Sequence, residues 1–349
     1  MVFVAVLSLT LVQSANAWSI VDDTTGGDCT SIGTWEARTK TCTLQTDLSE
    51  GIVIDSDSIT LQCYGHSIDG GGYGSGSGID VYGKNGVAIK NCIVIFFDLG
   101  IIIDSSNNTS LLNNTVCAHE YFGILIDSSS DNTLKNNVVC GNADRGILIY
   151  SSTNNHVDGN SFSGNSFEGI TIYSSTNTYL NGNTADYNGL EGIIIGGSTN
   201  TYLKGNTANN NRFLGISISS SNTHLDGNTA DNNGLMYGID ISNSTDSYLN
   251  DNTANNNGAV GITIYSSTNT HLKGNTADNN WDAGIDIYSS TNSYLSGNTA
   301  DNNGTYGYSD INGINSTFND NECSGNYLGG SDPTGLCSPQ PWRAVEGCL

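Results

Sequence analysis

Positive charge is scarce in this chain. Ten lysines and arginines stand against 34 aspartates and glutamates in 349 residues, a formal charge of −24 with a pI near 4.1. That balance argues against nucleic acid or an anionic membrane as a partner, and it suits a soluble secreted protein, high salt or divalent cations. Long apolar runs are also missing: past residue 17 no stretch approaches the roughly 18 apolar residues of a membrane span. No window shows helical spacing of apolar residues. Soft metal donors are few, with two methionines and five histidines, too sparse for the clustered ligands a copper site wants. No C-x-x-C zinc pattern occurs. Nine cysteines are present, but none lies between residues 141 and 322.

What is there is a repeat. Residues 169–191, GITIYSSTNTYLNGNTADYNGLE, recur almost end to end, and the glycine opening each copy stands at 100, 123, 146, 169, 192, 215, 238, 261, 284 and 307, always a step of 23. A fixed period of this size predicts a solenoid of stacked supersecondary units. Within each copy a G-I-x-I run, a Ser-Ser-Thr-Asn turn, a second short run and a Gly-Asn-Thr-Ala segment alternate apolar with polar residues, as strands require. Three short strands per copy make one coil of an all-β, right-handed parallel β-helix, whose strands pair along the whole length.

Register then assigns columns. Ile170/Ile172, Ile193/Ile195 and Ile262/Ile264 point inward, with a Leu column (Leu180 to Leu295) and an Ala column (Ala185 to Ala300). Each buried Ile or Leu contributes roughly 1.5–3 kcal/mol. Asn183, Asn206, Asn228, Asn252, Asn275 and Asn298 are expected to form an internal amide ladder and to tolerate left-handed turn geometry. The copy at Gly215 lacks one residue in its first turn and regains one before Gly238, which keeps the hydrophobic set facing inward.

The ends differ. Residues 1–17 read as a signal peptide, an apolar run followed by Ala15-Asn16-Ala17, although the usual basic n-region is missing. Residues 18–50 lack the repeat and read as an N-terminal cap, 51–327 as the β-helix and 328–349 as a C-terminal cap or tail. The cysteines fit an oxidising, secreted or cell-envelope setting. Cys29/Cys42 would staple the N-terminal cap. Cys117 and Cys140, one period apart, stack on neighbouring coils, and Cys63 and Cys92 occupy nearby positions. Nine is odd, so one thiol is left over and full connectivity stays open.

Outward columns carry the chemistry. On each first strand the residues two and four after the glycine face out: Asp80 and Tyr82, then Asp104, Asp127, Tyr150 and Tyr173, and farther along Asp240, Asp286, Tyr265 and Tyr288. The residue before the glycine adds Arg145, Glu168 and Glu191. Asp104 and Asp127, about 5 Å apart on adjacent coils, make a candidate site for a metal ion such as Ca²⁺ or the close carboxylate pair of a retaining glycosidase. The plainer reading is a solvated acidic face. On the second strand, His156, Tyr179, Tyr202, His224, Tyr248, His271 and Tyr294 form either a stiffening cross-strand stack or a platform for sugar rings. A Thr column, Thr184 to Thr299, admits ice binding, but its outward neighbours look irregular.

The runs ITLQCYGHSIDGGG at 59–72 and GVAIKNC at 86–92, followed by repeated GI-x-I and NT-x-L-x-x-N, resemble the NosD-like right-handed parallel β-helix family, part of the wider pectin-lyase-fold group of carbohydrate-binding and sugar-hydrolase β-helices. The resemblance covers roughly residues 42–327 and implies the fold more sharply than the function. It implies that the outer face of the first strands is the groove for a polysaccharide or cell-surface glycan. Two readings follow: a secreted polysaccharide-binding protein or rigid rod, and a polysaccharide-active enzyme (lyase, epimerase or hydrolase). The short turns, scarce Lys and Arg and missing Asp-Pro-His-type epimerase signature weigh against the enzyme.

Overall fold

A computed structural model describes residues 17–72 and 74–338. The signal-peptide reading lies outside this range up to residue 16, as do Cys348 and the rest of the tail from residue 339.

A typical coil runs through a first strand Ile124–Asp127, a second Thr133–Lys135 and a third Val138–Cys140, each paired in parallel with its equivalents in the coils before and after. Third strands make a separate sheet from Ser67–Asp69 to Ser161–Ser163. Beyond it they shrink to single bridges through the threonines, from Thr184↔Thr207 to Thr276↔Thr299. Left-handed residues bend the coil, for example Ser174 (φ 50) just after the first strand Ile170–Tyr173 and Asn177 (φ 51) near the start of the second, Thr176–Asn181.

The columns are where the period places them. Ile170, Ile172, Ile193, Ile195, Ile262 and Ile264 are fully buried, and the Leu and Ala columns are buried with them. The Asn ladder is continuous: Asn206 Oδ1 accepts from both the backbone N–H and Nδ2 of Asn183, each at 2.9 Å, while Asn183 Nδ2 also donates to Val157 O at 2.7 Å. Each amide thereby satisfies buried backbone groups across the stack. The left-handed position, however, is not the Asn but the residue before it, such as Gly182 (φ 60) or Asp251 (φ 52). A second buried ladder, Asn142–Asn165–Asn188–Asn211 and onward, starts from His119, whose backbone N–H donates to Asn142 Oδ1 at 3.1 Å. The short copy is absorbed as expected: ladder steps of 22 residues (Asn206 to Asn228) and 24 residues (Asn228 to Asn252) follow one another.

Parallel pairing also runs into both segments read as caps. Trp18–Ile20 pairs with Ile52–Ile54, and Gly329–Asp332 pairs with Tyr306–Ile311. A four-residue helix, Cys29–Ile32, and the antiparallel hairpin Gly33–Glu36/Thr41–Leu44 cover the N-terminal end. Disulfides join Cys29–Cys42, Cys63–Cys92, Cys117–Cys140 and Cys323–Cys337.

The opening glycines are required by close approach. A Cβ on Gly192 would lie 2.7 Å from Asn211 Nδ2 and 2.8 Å from Gly215 O, atoms of the ladder and of the next coil. Gly192→Ala is therefore expected to cost about 1–3 kcal/mol, as overpacking does. Chemical denaturation checks it; an unchanged midpoint would refute the close stacking.

Candidate functional site

The outer face of the first strands is built from three columns. Four residues after each glycine, Tyr82, Asp104, Asp127, Tyr150 and Tyr173 stand in unbroken register on five successive coils. All five reach the surface. Two residues after the glycine, the expected exposure is lost on the first coils, while Asp240 and Asp286 farther along stay partly exposed. Ile102 and Leu125 are buried with Leu99, and Phe122 and Leu148 pack against them, in an apolar cluster separate from the main core. Leu99 and Phe122, which precede two of the glycines, pack against this part of the column. Asp80 shares this fate: it is 5% exposed, and its Oδ1 has no hydrogen-bond partner.

The candidate residues fall into two groups. Asp80, Asp104 and Asp127 form the first. Burial, with the Asp104 charge beside it, raises the Asp80 carboxyl to about 6. Asp127 is also raised, by burial first and Asp104 after it. Ser105 Oγ donates to Asp104 Oδ1 at 2.8 Å and Ser128 Oγ to Asp127 Oδ1 at 2.9 Å. The second group centres on Arg145. Its Nε lies 2.7 Å from Glu168 Oε2, its Nη1 donates to Asp144 Oδ1 at 3.1 Å, and its guanidinium sits 5.8 Å over the Phe122 ring. Burial raises Glu168 despite Arg145 beside it, and burial plus the Glu168 charge raises Glu191 to about 7. Burial raises the Tyr173 phenol, with Glu168 and Glu191 adding to it. Tyr150 lies in the column between the groups. Asp144 and Phe122 escaped the sequence reading because turn positions carry no strand alternation to flag them.

Farther along the same face a recess of about 360 Å³ is lined by Tyr237, Asp240, Thr263, Tyr265, Asp286 and Tyr288. Burial raises the Asp240 carboxyl to about 6, although Ser242 Oγ donates to it at 2.6 Å. Asp286 is raised by burial, with Asp282 and Asp310 adding to it. Tyr265 and Tyr288 stack at 5.4 Å. Tyr237 was not singled out in the sequence; it occupies the position before Gly238, as Arg145 does before Gly146.

The second-strand rings stack continuously from His156 to Tyr294, with centroids 4.6 to 5.1 Å apart and planes within 14°. Ring faces cover one another, so the surface shows their edges. This geometry is the stiffening stack and leaves no faces for sugars. The Thr column's outward neighbours are regular after all: Asp186, Asn209, Asp231 and Asn255 each accept from the next coil's backbone N–H at 2.6 to 2.7 Å.

Among the described residues no three His, Cys, Asp or Glu side chains group to hold a metal ion, and no helix is long and apolar enough to cross a membrane. Calcium takes six to eight oxygens, and Asp104 and Asp127 do not supply such a set.

Fold and face together define a right-handed parallel β-helix with one acidic, tyrosine-bearing face. The family model for the periplasmic copper-binding protein NosD matches residues 50–225, and a right handed beta helix region matches residues 191–338. The chain belongs to the NosD family. Its donors do not fit a copper site, since His156, His224 and His271 are each separated by stacked tyrosines and His119 is buried. No curated protein matches the chain. Among solved structures, the A-module of Azotobacter vinelandii mannuronan C-5 epimerase AlgE6 is 14% identical over 87% of this chain and 89% of its own, with a TM-score of 0.64. The AlgE4 A-module is 15% identical over 86% of each chain, with a TM-score of 0.57. These likenesses concern the fold.

Proposed function

We propose that this protein is a secreted or envelope-exposed solenoid whose first-strand face binds a polysaccharide chain laid along its axis. The observation that carries this reading is the unbroken column Tyr82–Asp104–Asp127–Tyr150–Tyr173, continued on the same face by the recess at Asp240 and Asp286. Carboxylates accept hydrogen bonds from sugar hydroxyls, and tyrosines offer both apolar surface and a hydroxyl. The two epimerase modules of like fold act on mannuronan by name, which supports a polysaccharide as the ligand. Four disulfides suit an oxidising compartment outside the cytosol.

A polysaccharide array read for both binding and depolymerisation tests the proposal. Retained binding is expected, and Asp104→Asn with Asp127→Asn should weaken it about tenfold, the size of a charge-assisted hydrogen bond, without lowering Tm. If no glycan binds, the rigid-rod reading replaces this one.

A second reading, a polysaccharide-active enzyme, rests on the recess. Asp240 and Asp286 lie two coils apart, roughly 9–10 Å along the sheet, near the separation that leaves room for an attacking water. Asp240, held near 6, would be the proton donor. New chain ends in the depolymerisation arm would favour it.

A further inference from the structure

We infer that the ligand of the first-strand face is a polymer of amino sugars, carrying free ammonium groups, and not a polyuronate. The inference rests on the polysaccharide-binding reading and specifies its substrate class.

The three columns of the face contain one cationic side chain among the described residues, Arg145, and it is already engaged with Glu168 and Asp144. A polyuronate laid along the face would meet Asp104 and Asp127 at one end, with the buried Asp80 beside them, and Asp240 and Asp286 at the other, with no free Lys or Arg in the three columns, among the described residues, to offset its charges. Like charges brought together in this way oppose binding. The buried carboxylates point to the opposite partner. Asp80 is 5% exposed and its Oδ1 accepts no hydrogen bond; Asp286, half-buried in the recess, is held by a hydrogen bond from the Ser309 side chain but accepts none at Oδ1. Burying such an oxygen without a donor costs free energy that the fold alone does not recover. An ammonium group brings three donors and a positive charge in one compact head. A neutral hydroxyl brings one donor and leaves the charge uncompensated. Asp104 and Asp127, in register on adjacent coils beside Asp80, would meet successive residues of the same chain.

The test is calorimetric titration of the full chain, at about pH 7, where the raised Asp80 and Asp240 carboxyls are mostly ionised and sugar amines keep part of their charge, with four hexasaccharides: glucosamine, its N-acetylated counterpart, glucose and mannuronate. The glucosamine oligomer is expected to bind at least about tenfold more tightly than the N-acetylated one. Two isosteric double variants, Asp80→Asn with Asp104→Asn and Asp240→Asn with Asp286→Asn, should each shrink that preference. Asp226→Asn with Asp251→Asn, exposed carboxylates elsewhere on the coil, should leave it intact. Melting curves confirm that each variant folds. Equal affinity for the glucosamine and N-acetylated oligomers, tighter binding of mannuronate, or an equal loss in the control variant would overturn the inference while leaving polysaccharide binding standing. Failure of all four oligomers together with a silent polysaccharide array would remove both.

Discussion

Leu249→Asp is expected to destabilise the solenoid by more than about 4 kcal/mol, because it removes a buried side chain and puts an unpaired charge in its place. Leu249 is fully buried between Leu225 and Leu272, and among the described residues no Lys or Arg is buried in the inward columns. Tyr248, one residue earlier, points the other way, into the ring stack, with His224 at 4.7 Å and His271 at 4.9 Å. Tyr248→Asp should therefore cost only about 1–2 kcal/mol, the loss of two aromatic contacts. Urea denaturation of the two variants side by side measures the difference. Similar losses at both positions would mean that the inward and outward sets are wrongly assigned. In a solenoid each coil leans only on its neighbours, so the damage should be concentrated in the coils around residue 249, visible as local loss of amide protection.

The second large effect is an inverted pH dependence. The folded-state carboxyls of Asp80 and Asp240 are raised from 3.8 to about 6, and that of Glu191 from 4.5 to about 7. Across those windows the folded chain holds protons that the unfolded chain has released. Stability must then fall as pH rises. The contribution is fully present below about pH 4 and gone above about pH 7. For Asp80 alone a shift of about two units corresponds to something on the order of 3 kcal/mol. Self-repulsion at a formal charge of −24 acts in the same direction. Asp23 and Asp47 are lowered by hydrogen bonds, from Gly27 and Ser67 respectively, and oppose the trend, but both are fully exposed. The urea midpoint is expected to drop from pH 5 to pH 8, and Asp240→Asn to flatten the slope. A midpoint that climbs over that range would falsify the burial argument.

The fold was legible because a 23-residue glycine step combined with short runs of alternating apolar residues calls for stacked strands, and that register places Ile170, Leu180 and Ala185 inside. Cys117–Cys140 was legible for the same reason. The second Asn ladder was not, because Asn188 and its equivalents sit in Asn-Gly stretches that look like ordinary turn chemistry. For the site, alternation correctly put Asp104, Asp127, Tyr150 and Tyr173 in one surface column. It misplaced Asp80, because alternation distinguishes the inside of a coil from its outside but is blind to what folds over the outside. The adjacency of Arg145 and Glu168 followed from the period; their ion pair and the burial of Glu168 did not.

The placement of the crosslinks has a mechanical consequence. A load applied to the two ends of this molecule would peel coils one at a time, since each is held to the next by a short row of hydrogen bonds pulled in sequence. Cys29–Cys42, Cys63–Cys92 and Cys117–Cys140 stop that peeling at one end, and Cys323–Cys337 resists it at the other. Between Cys140 and Cys323 nothing covalent joins one coil to another. Under such a load the middle of the solenoid would open before its crosslinked ends.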